Sequence, residues 1–270
     1  MKRKKVITEL VVGGVLFSGG LILSVLGFQG YVTAEKINGE DPMFPLILWG
    51  ILALLIGAVV LGNGLCHWRR PKATEEKTTA QSISRLAQAA LFAALAYVMF
   101  TYFKIDITLP GGSTAFHLGN TFVVLAALLL GGSLGGIAGA IGLTMADLTT
   151  IYVTSAPKTF FLKLCIGLIT GFVAHRLFHI TKITEKKKLF CAAVVSVLAG
   201  LLFNVVADPL VGYFYKRYLF GIPQNASAAL AKIATLTTAV NAGLSAVCAV
   251  VLYLALRPVL QKAGLFQKEI

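Results

Sequence analysis

Long apolar runs, broken by short polar or basic stretches, dominate the chain from end to end. A hydrocarbon core of about 30 Å is crossed by roughly 20 apolar residues in helical form. Eight stretches reach or approach that length: 7–28, 44–67, 84–103, 117–131, 133–153, 159–178, 189–214 and 228–256. Gly131, Gly132 and Ser133 mark the junction of the fourth and the fifth, which predicts a tight helical hairpin. The pattern as a whole predicts an all-α membrane protein with eight spans.

Composition agrees with the pattern. Of 270 residues, 57% are hydrophobic and 13% charged, and the mean hydropathy is +0.83. A soluble domain wets its surface with roughly 25% charge, so an ordinary soluble enzyme and a disordered chain are both excluded. The net charge of +13, from 24 basic and 11 acidic residues, would fit a nucleic-acid partner if it formed a continuous patch. It does not, because the basic residues fall in short clusters between apolar runs.

Those clusters orient the chain. Lys2, Arg3, Lys4 and Lys5 precede the first span, and Arg69, Arg70, Lys72, Lys77 and Arg85 separate the second from the third. Arg176, Lys182, Lys186, Lys187 and Lys188 separate the sixth from the seventh, and Arg257, Lys262 and Lys268 follow the last. Basic residues concentrate in cytoplasmic loops, and these positions hold 17 of the 24. Both termini are therefore expected in the cytoplasm.

The stretch from Trp68 to Ile83 is charged and polar with one proline, and reads as a linker. The chain then divides into a two-helix membrane section over 1–67, a cytoplasmic linker over 68–82, a six-span core over 83–258 and a cytoplasmic tail over 259–270. The front section carries Lys36, Glu40 and Asp41 in its outer loop and Glu9 at the cytoplasmic edge of its first span. It reads as an anchor or packing partner. Residues 1–34 also have the make-up of a signal peptide, with a basic start and Val32-Thr33-Ala34 as a cleavage pattern, although the apolar stretch is long for one. Cys66, Cys165, Cys191 and Cys248 lack paired spacing and read as small buried side chains.

Ionisable groups inside a membrane are expensive and are functional candidates by default. Asp147, Lys163, Asp208 and Lys232 fall within spans of the core section, with His117, Asn120, Tyr152, Asn204 and Asn241 nearby. On the expected topology the polar groups from five helices, with Lys158 and Tyr213, collect in the outer half of the bundle. His117 and Asn120 are three apart, while Thr159 and Lys163, and Asn204 and Asp208, are four apart, so each pair shares a helix face. Such a set suits a small-molecule pocket open to the outside. Pairing of Asp147 or Asp208 with Lys163 or Lys232 to join helices is the plainer alternative for any single residue.

Small residues recur at helix-packing spacing: Ala89 with Ala93, Ala90 with Ala94, Gly132 with Gly136, Gly135 with Gly139, and Gly167 with Gly171. Small residues four apart let helices approach closely in lipid. The run GGSLGGIAGAIG lacks the Gly-Lys-Ser/Thr ending of a phosphate loop, so the chain shows no ATP site of its own. His175 and His179 sit one turn apart at a cytoplasmic helix end, where headgroup or solvent contact is expected rather than metal ligation. No metal, cofactor or catalytic motif is expected.

Three strings taken together carry a resemblance: Phe116-His117-Leu118-Gly119-Asn120, the run GGIAGAIGLTMADLTTIY over 135–152, and Ala156-Pro157-Lys158-Thr159-Phe160-Phe161-Leu162-Lys163. Over roughly residues 83–258 the chain resembles the substrate-binding S components of energy-coupling factor (ECF) vitamin importers, in the group with riboflavin-type and pyridoxine- or hydroxymethylpyrimidine-type members. The resemblance implies a six-helix S component that captures a vitamin at the outer face. It implies as partners a membrane T subunit and two cytoplasmic ATPases, with toppling in the bilayer to release the substrate. It implies that Ala89, Ala90, Ala93 and Ala94 form the face that meets the T subunit, and that the loop over 104–116 is a lid. It also implies that His117, Gly119, Asn120, Asp147, Tyr152, Lys158 and Lys163 lie on or near the pocket wall. Together with Asn204, Asp208 and Asn241 these make up the candidate substrate site.

The two front spans depart from the six-helix pattern of such components. A pocket of Asp, His, Asn and Tyr suits a small heteroaromatic, so a pyridoxine- or hydroxymethylpyrimidine-like substrate is expected, with riboflavin needing a larger cavity. The alternative is a stand-alone secondary transporter of a small polar solute, which predicts coupling groups at the midplane and a repeated half-structure. An intramembrane enzyme and a receptor are further alternatives.

Overall fold

The computed structural model describes residues 7–8, 10–16, 18–19, 22, 79–109 and 112–266. The chain divides into two compact units, Met1–Glu76 and Lys77–Ile270. In the first, the described residues are helical. The expected span 44–67, the outer loop with Lys36, Glu40 and Asp41, and most of the linker lie outside the described residues.

In the second unit the described residues form six α-helices and one small sheet. In chain order these are α1 (Thr79–Thr101), β1 (Lys104–Leu109), β2 (Gly112–His117), α2 (Gly119–Leu130), α3 (Gly132–Leu148), α4 (Ala156–Phe172), α5 (Lys186–Phe214) and α6 (Gln224–Lys262). One π-helical turn, Val173–Leu177, extends α4, and another, Tyr215–Leu219, extends α5. Among the described residues, four helical stretches are long and apolar enough to cross a membrane: Gln81–Thr101, Val153–Leu177, Lys186–Leu219 and Gln224–Lys262.

α2 and α3 are shorter. With 12 residues, α2 is only about 18 Å long. All of its residues but Phe122 are buried, and it contacts each of the other five helices. A helix apolar all round is one enclosed by protein, so α2 is the centre of the bundle. Its C-terminal carbonyl on Leu130 accepts a hydrogen bond from Arg85 Nη2 at 2.8 Å, which places a cation at the negative end of the helix dipole. The chain then turns at Gly131, whose φ of 92° is open to glycine.

α3 is the helix of close approaches. A methyl group on Gly167 of α4 would lie 2.2 Å from Gly136 Cα, and one on Gly171 would lie 2.2 Å from Gly132 Cα. The two glycine pairs thus face each other backbone to backbone across the α3–α4 crossing. On a second face Gly135 meets the Ala127 backbone of α2 and Gly139 meets Val123, and on a third Gly142 meets the carbonyl of Ala93 in α1. One helix touches three neighbours because its contact positions carry no side chain.

That packing divides the four alanines of α1 between two faces. Ala89 is buried in the core and Ala93 is half-buried with its backbone against Gly142. Of the four alanines, only Ala90 and Ala94 point outward, in a stripe with Ile83, Leu86, Leu91 and Val98. Four small residues at helical spacing occupy two adjacent faces, and one of these is spent on α3.

The stretch expected as a lid loop over 104–116 is instead an antiparallel hairpin, with Lys104 opposite His117 and Leu109 opposite Gly112. The apolar/polar alternation of Lys-Ile-Asp-Ile-Thr-Leu is the period of a strand. His175 is also unlike its expectation. It is buried, and its Nε2 sits 3.0 Å from the Ala127 carbonyl oxygen, whereas His179 is exposed with φ 48°. Among the described residues no group of histidine, cysteine or carboxylate side chains could hold a metal.

Candidate functional site

The Lys-rich connector between α4 and α5 lies at one end of the bundle, tied to α6 where Arg257 Nη2 donates to the carbonyls of Thr181 and Ile183 at 3.2 and 2.8 Å. The hairpin lies at the other end, where α1 ends and α2 begins. Beneath it is a cleft of about 570 Å³, part of which is open solvent.

Seven elements and one connector furnish its wall. β2 contributes Ser113, Thr114, Ala115 and His117, and α2 contributes Asn120 in its first turn. Asp147 comes from the last turn of α3, with Leu143 one turn earlier. The connector that follows supplies Tyr152 and Ser155, and α4 supplies Lys158, Thr159 and Lys163. Asn204 and Asp208 stand one turn apart on α5, Thr238 and Asn241 three apart on α6, and Phe100 closes the wall from α1. Of the ten residues expected at the site from the sequence, nine therefore line one cleft. Lys232 is exposed on α6 and takes no part.

Gly119 does not line the cleft, but it shapes it. Its backbone N–H donates to His117 Nδ1 at 3.1 Å, so a neutral imidazole carries its proton on Nε2. Burial, and after it the nearby charge of Lys163, pushes His117 down to about 3, so the ring is neutral near pH 7. A side chain at Gly119 would strike Leu143 at 2.6 Å. Phe100 meets the His117 ring edge-on at 4.5 Å between centroids and Tyr152 at 5.5 Å.

The hairpin is held from both sides. On one, the Asn241 amide accepts from the His117 N–H at 3.0 Å and donates to the Ala115 carbonyl at 2.9 Å. The Thr114 and Thr237 hydroxyls pair at 2.9 Å beside it. On the other, the Tyr152 hydroxyl lies 2.7 Å from Asp106 Oδ1 and 2.9 Å from the Thr114 carbonyl, with its one proton between the two acceptors. Asp106 also pairs with Lys104. Burial pushes the Asp106 carboxyl up, but hydrogen bonds from Lys104 and Tyr152 outweigh it and hold the group below the usual range. Burial and the bond to Asp106 push the Tyr152 hydroxyl up, so it remains a donor.

The charges in the cleft differ in how fully they are engaged. Lys158 Nζ is 2.8 Å from Asp208 Oδ1, and Thr238 donates to the other oxygen at 3.2 Å. Asp147, 3% exposed, accepts from Thr159. Lys163, 7% exposed, makes one long hydrogen bond, 3.4 Å to Asn204 Oδ1. Asn120, 1% exposed, has its Oδ1 without a partner.

Sequence reasoning missed Phe100, Ser113, Thr114, Ser155 and Thr238 as lining residues. Thr238 had a signal, since it stands three residues before Asn241 on one helix face. Phe100 and Thr114 had none, because an aromatic in an apolar helix and a threonine in a loop are unremarkable until the hairpin is folded over them.

The family model for the ECF-type riboflavin transporter, S component, matches residues 80–258. Neither the curated proteins nor the solved structures give a match.

Proposed function

The chain belongs to the family of ECF-type riboflavin transporter S components, and we propose that the cleft beneath the hairpin is its substrate site. S components are substrate-binding subunits of membrane vitamin uptake and not enzymes, so the chain is a multi-pass membrane binding subunit. The observation that carries the proposal is the convergence of buried polar groups from five helices and the hairpin on one cleft. Packing alone does not require so many buried polar groups around one cleft.

In this reading the chain has eight spans with both termini in the cytoplasm, and the cleft opens to the outside beneath the hairpin as lid. The basic connector at the opposite end supports that orientation. Substrate passes inward when the chain works with a membrane T subunit and two cytoplasmic ATPases. The outward stripe with Ala90 and Ala94 offers the T subunit a shallow surface.

The substrate is a small heteroaromatic of pyridoxine or hydroxymethylpyrimidine type. The lining supports this: two lysines and two aspartates balance in charge, His117 is neutral, and two aromatic rings border the wall. Riboflavin is the second reading, favoured by the description of the matching family.

Thermal melting of the purified full chain in detergent against pyridoxine, hydroxymethylpyrimidine, thiamine and riboflavin tests it. A ligand at about 100 times Kd adds about 2.7 kcal/mol to the native state. One strong hit that is lost in Asp147→Asn supports the site. No shift with any of the four rejects the substrate class, and uptake that persists without the ATPases rejects the coupling.

A further inference from the structure

Resting on the reading of the cleft as a substrate site, the chemistry of the substrate's recognised edge follows from what the cleft leaves unspent. The Lys158–Asp208 pair is closed on itself and on Thr238. The Asn241 amide is consumed at both ends by the β2 backbone. These groups already hold partners within the protein, Lys158 a carboxylate at salt-bridge distance and Asn241 one backbone donor and one backbone acceptor. Lys163 and Asn120 are the opposite case.

An ammonium has three donors, and Lys163 directs one, at 3.4 Å, to Asn204. Among the described residues no carboxylate lies within salt-bridge distance of it. The side-chain amide of Asn120 makes no hydrogen bond to the described protein, and its carbonyl oxygen is buried without a partner. Both residues are more than nine-tenths buried and both line the same cleft. A buried charge and a buried amide left in this state cost stability, and a ligand that completes them recovers it.

We infer that Lys163 and Asn120 together select a ring oxygen bearing full or partial negative charge, flanked by a hydrogen-bond donor. The ammonium receives the oxygen, and the amide, which both donates and accepts, pairs with the oxygen–donor edge. An aminopyrimidine lacks such an oxygen. Two ligands supply it: a zwitterionic hydroxypyridine, with its ionised ring oxygen beside a hydroxymethyl group, and the imide edge of an isoalloxazine.

The test uses the full chain in detergent, with Lys163→Met and Asn120→Leu as variants of similar shape. Affinity is measured for pyridoxine, its 3-O-methyl ether, riboflavin and N3-methylriboflavin. The wild-type protein should bind either pyridoxine or riboflavin about ten-fold or more tightly than the methylated form of the same ligand. Lys163→Met and Asn120→Leu should each remove that discrimination while melting, without ligand, at or above the wild-type temperature. The parent ligand that binds identifies which source the edge comes from. Equal binding of a parent and its methylated form overturns the inference and leaves the binding subunit standing. Lower melting of both unliganded variants also overturns it, because the two side chains would then support the fold. No binding by any of the four probes overturns this inference, and a melting shift with hydroxymethylpyrimidine or thiamine would then leave the substrate site standing.

Discussion

The side chain of Asn241 on α6 accepts a hydrogen bond from the backbone N–H of His117 at 3.0 Å, and returns one to the carbonyl of Ala115 at 2.9 Å. An amide is the one side chain of this size that can serve both a backbone donor and a backbone acceptor. Asn241 therefore completes the open edge of β2 as a neighbouring strand would, and fixes the height of the hairpin over the cleft. It is a positioning residue. Asn241→Leu should cost about 1–3 kcal/mol of stability through two unpaired backbone groups, and Asn241→Asp should spare the His117 bond and lose the Ala115 bond. Amide exchange at the β2 backbone, read with ligand affinity, checks both. Unchanged protection in the leucine variant would reject the role.

Gly167 and Gly171 bring α4 against α3 at backbone contact. Gly167→Ala should destabilise the bundle by about 1–3 kcal/mol or more, since the added methyl meets backbone rather than a flexible side chain. Gly243→Ala on α6 is the control, because nothing lies within 4 Å of its added methyl. Thermal unfolding of the two variants side by side decides the matter, and equal melting would contradict the crossing.

The inward turn of Ala89 and Ala93 changes which variants test assembly. Ala90→Leu and Ala94→Leu fill the outward stripe without entering the core, and should impair co-purification with the T subunit while leaving ligand binding and melting unchanged. A bulky residue at Ala93 is a poor probe, because its backbone carbonyl touches the position of Gly142 and the fold itself is at risk. Normal assembly of both outward variants would place the partner elsewhere.

His117 is held neutral in the folded state, pushed from 6.5 down to about 3. In that interval the unfolded chain carries a proton on this residue that the folded chain does not, so stability rises with pH across it. Melting should fall by several degrees as the pH drops from 7 toward 4.5, and His117→Gln should flatten the part of that fall due to this ring. An acid profile identical in the variant would assign the effect to other groups.

Tyr152 holds the opposite side of the hairpin through Asp106 and the Thr114 carbonyl. Tyr152→Phe should cost about 0.5–1.5 kcal/mol and raise the off-rate of a bound vitamin, as a looser lid would. Stopped-flow displacement measures it, and an unchanged off-rate would leave the hydroxyl a role in the fold alone.

Membrane residence and the polar set were legible in the chain because lipid makes both conspicuous. An apolar run long enough to cross a bilayer is too costly to leave in water, and a charge inside such a run is too costly to leave in lipid. Glycines four apart announced close crossings, and the structure added which helix each one meets. The hairpin carried a legible signal in its alternation, but a short polar connector between spans is also what a loop looks like. The inward face of Ala89, the buried ring of His175 and the enclosure of the 12-residue α2 carried no such signal. Each depends on which neighbour occupies a given side of a helix, and helical periodicity alone does not specify that. The same reason separates the groups of the cleft. Sequence alone determined that Asp147, Lys163, Asp208, Asn120 and Asn241 are costly to bury and need partners. Only the tertiary structure decided that Asp208 and Asn241 find theirs within the protein, while Lys163 has one long bond to Asn204 and the Asn120 carbonyl has none, because pairing depends on distances between helices far apart in the chain.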